Sequence, residues 1–195
     1  MISLQDMLNQ QLGGSTVSQI SQSLGADQNS TATAIQAALP MLLGALARNT
    51  SNQQGAQELD TALSKDHDGG ILDNIMDFLG NSGQGPGGGI LGHIFGDRRE
   101  AVEGKISQSS GLDMSQISQL LVMLAPIVMG ALGRAKRQEG LDAGGVADML
   151  NQERQQIESS SPVMGMLSSL LDRDGDGNVM DDLGGLLGNI MKGRQ

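Results

Sequence analysis

An apolar helix carrying a proline occurs twice in this chain, and that recurrence narrows the possible folds more than any other feature. The first copy is Leu39-Pro40-Met41-Leu42-Leu43-Gly44-Ala45-Leu46-Ala47-Arg48, the second Ala125-Pro126-Ile127-Val128-Met129-Gly130-Ala131-Leu132-Gly133-Arg134. Both read P-x-x-x-G-A-L-x-R. Pro40 and Pro126 lie 86 positions apart, and the same offset carries Ile20-Ser21-Gln22-Ser23 onto Ile106-Ser107-Gln108-Ser109, Gly25 onto Gly111 and Asp27 onto Asp113. Ungapped self-similarity on this scale points to an internal duplication, in which neither copy can bury its apolar face alone.

The pattern around each copy is helical. Ser3 caps a short helix with Leu4, Met7, Leu8 and Leu12 on one side, stopped by Gly13-Gly14. A second helix opens at Ser15, aligns Val17, Ile20 and Leu24, and ends at Gly25. Asp27 then caps the first proline helix, whose stripe is Ile35, Leu39, Leu42, Leu43 and Leu46. In the second copy Asp113 and Gln116 form a capping-box pair ahead of Ile117, Leu120, Leu121, Leu124, Val128, Ala131 and Leu132. That helix is apolar nearly all round, as expected of a core element. A proline inside a helix costs about 3 kcal/mol, so each is expected to be kinked or broken and restarted at its proline. Gly44 and Gly130 are expected to leave room for a neighbouring backbone.

A core for this chain must come from aliphatic side chains, because it has twelve Met, two Phe, and no Tyr, Trp or Cys. That composition suits helices better than strands. The missing cysteines exclude a disulfide framework, a thiolate metal site and a thiol nucleophile. A formal charge of −10 disfavours a phosphate-binding surface, which needs clustered Lys and Arg. The basic clusters, Arg98-Arg99 and Arg134-Ala135-Lys136-Arg137, read as solvated helix ends. No signal peptide is visible in Met1-Ile2-Ser3-Leu4-Gln5-Asp6. The apolar run Leu120 to Leu132 reads as too short to span hydrocarbon, which makes a cytoplasmic protein the default.

Asn81 to Gly89, NSGQGPGGG, reads as a linker. The domain expectation is therefore a helical repeat over 1–80, the linker over 81–89, and a second repeat over 90–195 with a C-terminal acidic loop and helix.

Two acidic loops also match each other. Asp66-His67-Asp68-Gly69 aligns on Asp174-Gly175-Asp176-Gly177, which pairs Ile71 with Val179, Asp73 with Asp181 and Gly80 with Gly188. Asp172-x-Asp174-x-Asp176-Gly177 has the spacing of a calcium loop, in which alternate carboxylates converge on one hard cation. The candidate ligands are Asp172, Asp174, Asp176, Asn178 and Asp182. The twelfth position, where an EF-hand loop supplies a bidentate Glu, holds Leu183. Asp181 or Asp182 would have to substitute, and binding on the order of 10⁻⁴ M or poorer is expected. The competing reading is a tight Asp/Gly turn whose Asp181-Asp182 pair complements the following helix N-terminus. His67 and His93 have no second histidine at ligand spacing, and no G-x-S-x-G elbow or phosphate loop is present.

The duplicated P-x-x-x-G-A-L-x-R helix, the short helix and G-x-D before it, the Ile90-Leu91-Gly92-His93-Ile94-Phe95-Gly96 start and the terminal acidic loop resemble the bacterial YidB-like proteins, domain of unknown function 937. The resemblance runs from about Leu4 to Leu187. It implies a compact all-helical domain with no established activity, and brings no catalytic signature to any position.

The fold expectation is all-α: a duplicated multi-helix repeat with Pro-interrupted core helices, short Gly-terminated helices and acidic Asp/Gly loops. The functional expectation is a non-enzymatic interaction or scaffold protein with a protein partner or self-association, and without nucleic acid or membrane. The alternative is a weak calcium module in which the Asp172–Asp182 loop orders the C-terminal helix. No cofactor other than calcium is implied.

Overall fold

A computed structural model describes residues 4–80 and 86–160, and among these the regular structure is helical, with no strand. In chain order the helices are α1 (Leu4–Gln11), α2 (Gly14–Leu24), α3 (Gln28–Asn49), α4 (Gln53–Lys65), α5 (Ile75–Gly80), α6 (Gly87–Phe95), α7 (Arg99–Ser110), α8 (Met114–Glu139) and α9 (Ala143–Ser160). Two 3₁₀ turns, Gly70–Asp73 and Gly96–Arg98, precede α5 and α7. Contacts divide the chain into a unit spanning Met1–Arg154 and another spanning Gln155–Gln195. The core described below belongs to the first.

The two long helices begin alike. Asp27 accepts from the Ser30 N–H at 2.9 Å at the start of α3. Asp113 accepts from the Gln116 N–H at 2.8 Å at the start of α8. Only α8 completes the box, because Gln116 Oε1 also accepts from the Asp113 N–H. The helices before them end alike too: Gly25 and Gly111 take the left-handed conformation, with φ of 62° and 76°, which lets the chain turn into the next cap.

α3 and α8 run unbroken through Pro40 and Pro126, so the prolines do not interrupt them as expected. Packing explains the tolerance. Around Pro126, Leu120, Leu121, Leu124, Ile127, Val128 and Leu132 are fully buried. Each is worth roughly 1.5–3 kcal/mol, which together outweighs the proline penalty of about 3 kcal/mol. The expected stripes of α3 and α8 are buried throughout. In α2 the buried set is Thr16, Ile20, Ser21 and Leu24, with Val17 only half-buried. Leu72 and Leu79 point inward as expected, whereas Met76 is exposed.

α3 shares its most extensive interface with α7, and α6 with α8. α6 begins inside the stretch expected to be linker: Pro86 is its N-cap, and Gly87–Gly89 form its first turn. The reason is close approach, since a Cβ on Gly87 would stand 2.0 Å from the Val122 carbonyl oxygen. Val122 is the residue whose carbonyl Pro126, four positions on, cannot satisfy with an N–H. The α6 backbone comes up against the place the proline leaves bare.

By length and composition α3 and α8 could each cross a membrane, with mean hydropathy of 1.4 and 1.7 in their most apolar windows. For α8 this corrects the expectation drawn from Leu120 to Leu132 alone. Of that α8 window, 78% is buried inside the protein, as in the core helix of a folded domain.

Candidate functional site

The first acidic loop is clamped to α8 through the second copy of the repeated motif. A Cβ on Gly133 would lie 1.7 Å from the His67 carbonyl oxygen, and one on Gly130 would lie 2.3 Å from Ile71 Cγ2. Only hydrogen at these two positions lets the loop lie flat on the helix. Arg134 then donates to the Gly69 carbonyl at 3.0 Å and pairs with the Asp73 carboxylate. Lys136 pairs with Asp60 of α4 at 2.8 Å, and Arg137 with Asp68 at 3.2 Å. Asp68 also accepts from the Gly70 N–H at 3.0 Å and so holds the turn itself.

The cluster Arg134-Ala135-Lys136-Arg137, expected to be a solvated helix end, therefore binds acidic groups 61 to 76 residues earlier. Its partners could not be found from local sequence. Arg99 behaves similarly, pairing with Glu103 at 2.7 Å and donating to Ser118 Oγ at 2.7 Å.

Beside this clamp runs a groove of about 890 Å³ between the C-terminal end of α3, α4 and α6. Leu46, Leu59, Ile94 and Met129 contribute its apolar lining, and both histidines of the chain, His67 and His93, lie along it. Asn49 ties its two sides together by donating to the carbonyls of His93 and Ile94 at 2.9 and 3.0 Å. These carbonyls close the end of α6, where helical partners run out. Burial holds the His67 imidazole below its ordinary range, against the opposing pull of Asp66. The N–H of Ser30 holds the Asp27 carboxyl below the usual carboxylate range.

The expected calcium ligands Asp172, Asp174, Asp176, Asn178 and Asp182 lie outside the described residues, as do the other features expected after Ser160. Among the described residues no group of three or more His, Asp or Glu stands together as a metal-ligand set. In the first loop, Asp68 and Asp73 are instead paired to arginines.

A family model described as bacterial protein of unknown function, DUF937, matches residues 6–135. The chain belongs to this family. The match takes in both proline helices, the clamped loop and the groove, so all three fall within the DUF937 region of the chain. No curated protein and no solved structure matches it.

Proposed function

We propose that this DUF937 chain is a non-enzymatic helical interaction module that takes a protein segment in the groove between α3, α4 and α6, with a second copy of the chain as its partner. The carrying observation is the groove itself: about 890 Å³, apolar in its lining and flanked by polar side chains, as sites for partner helices are. Met129 lies along it, and methionine adapts to varied surfaces. The reading treats the chain as two copies of one helical unit, supported by the matching caps at Asp27 and Asp113. It includes a cytoplasmic location without nucleic acid or membrane, in keeping with the net charge of −10 and the burial of α8.

The test is solution mass by size exclusion with light scattering over a concentration series. Self-association raises the mass with concentration, and Ile90→Glu, a half-buried groove position, returns it to one chain. A strictly monomeric chain at every concentration overturns the self-association.

A second reading keeps calcium at Asp172, Asp174, Asp176, Asn178 and Asp182, on the strength of the Asp-x-Asp-x-Asp-Gly spacing. Calcium then raises the melting temperature of the natural chain. The Asp174→Asn/Asp176→Asn variant loses that rise. An equal rise in both chains would sink the idea.

A further inference from the structure

The repeated motif is used differently in its two copies. On α8, Met123, Pro126, Ile127 and Gly130 are buried, the clamped loop lies over Gly130, and Arg134 holds the Gly69 carbonyl and Asp73. The equivalent positions on α3, 86 residues earlier, are Ala37, Pro40, Met41, Gly44 and Arg48. There the first four are only half-buried and Arg48 is exposed. A Cβ on Gly44 would meet nothing within 4 Å, and Arg48 makes no ion pair among the described residues. Sequence elements that seat an Asp/Gly loop on α8 are thus present on α3 with nothing seated on them.

The chain carries one more loop of the matching pattern. We infer that the segment Asp174–Asp181 of the same chain docks on the α3 stripe Ala37–Arg48 as Asp66–Asp73 docks on α8. Val179 then covers Gly44 as Ile71 covers Gly130, and Asp181 pairs with Arg48 as Asp73 pairs with Arg134. Charge and pattern both fit, because the first loop supplies Asp73 to Arg134 and the second has Asp181 at the aligned position. Reach also suffices. The residues from Ser160 to Asp174 span up to roughly 45 Å when extended, while a unit of this size has a radius of gyration of about 15 Å. Arg137 and Lys136 have Ser51 and Thr50 as their equivalents, so Arg48 is the anchoring cation of the docked loop and Asp176 has no counterpart of the Arg137 pairing.

The chain has no cysteine, which makes a crosslink the direct test. In the full-length protein, Gly44→Cys and Val179→Cys are introduced together and oxidised with diamide. The control pairs Val179→Cys with Gly104→Cys, another helical glycine with open space around it. Docking gives an intramolecular disulfide forming at least about tenfold faster than the control, since a held pair exceeds the effective concentration of a free tether. Adding Arg48→Asp slows the reaction, and adding Asp181→Arg as well restores it, with helicity by circular dichroism confirming that each variant is folded. A rate no greater than the control overturns the docking. Disulfides formed only between chains overturn the intrachain assignment and give the stripe to the loop of a second copy. Crosslinking indifferent to Arg48→Asp overturns the assigned ion pair.

Discussion

A single methyl group distinguishes glycines that the sequence presents as equals. Gly133→Ala places its Cβ 1.7 Å from the His67 carbonyl oxygen, so the loop must lift from α8. The expected cost is about 1–3 kcal/mol of overpacking, partly offset by about 1 kcal/mol of improved helix propensity. Gly104→Ala in α7 meets nothing within 4 Å and should gain up to about 1 kcal/mol. Urea midpoints of the two variants should move in opposite directions. His67 makes a prediction about pH. Its folded pKa is lowered by burial, so between that value and the ordinary one of about 6.5 the unfolded chain binds more protons than the folded one. Its contribution to stability is therefore complete above about pH 6.5 and is lost as pH falls through the folded value. Replacing His67 with Asn should flatten the fall in melting temperature between neutral and mildly acidic buffer; an undiminished fall would assign it to other groups. None of this was legible beforehand. Gly44 and Gly130 sit in the same motif, and what faces each is decided by chain far away in sequence.

Helices whose burial follows a 3.6-residue period were legible, and those seated by a distant contact were not. The stripes of α3 and α8 could be read because apolar side chains repeat on one face and the Asp caps mark the starts. The start of α6 could not, because Gly-Pro-Gly-Gly-Gly has the local chemistry of a linker. It is helical because its first turn fits against the Val122 carbonyl above Pro126. A matched pair of substitutions follows from that fit. Gly87→Ala should lower the melting temperature, since its Cβ would stand 2.0 Å from the Val122 oxygen. Gly88→Ala, one residue on and with open space around it, should raise it. If both raise it, the close approach of α6 to α8 is not what selects glycine at position 87. The basic end of α8 was misread for a related reason. Local rules place cations at helix C-termini for the dipole, and give no hint that the partners lie on α4 and the acidic loop.

The halves of the chain, as the duplication divides it, exchange their main contacts: α3 lies on α7, and α6 on α8. Fragments 1–80 and 86–160 expressed separately should each be poorly helical, since a piece of this size buries a smaller share of its surface. Mixing them should restore ellipticity to near the sum expected for the intact unit. Two fragments already fully helical before mixing would mean that each half holds its own core. Duplication and helical class could be inferred from one sequence because periodicity and repeat offset are intrinsic to the chain. The groove could not, since its lining draws on α3, α4, α6 and α8 and no single stretch carries its signature. The same exchange of contacts has a consequence during synthesis. The face of α3 that rests on α7 leaves the ribosome with Asn49, and its cover is complete only with Ser110, about sixty residues later. At 5–20 residues per second that interval is roughly 3–12 s, long compared with the microseconds in which a helix forms. For those seconds a nascent chain carries a formed, apolar and uncovered helix, and its yield in the cell depends on what shields that surface until α7 arrives.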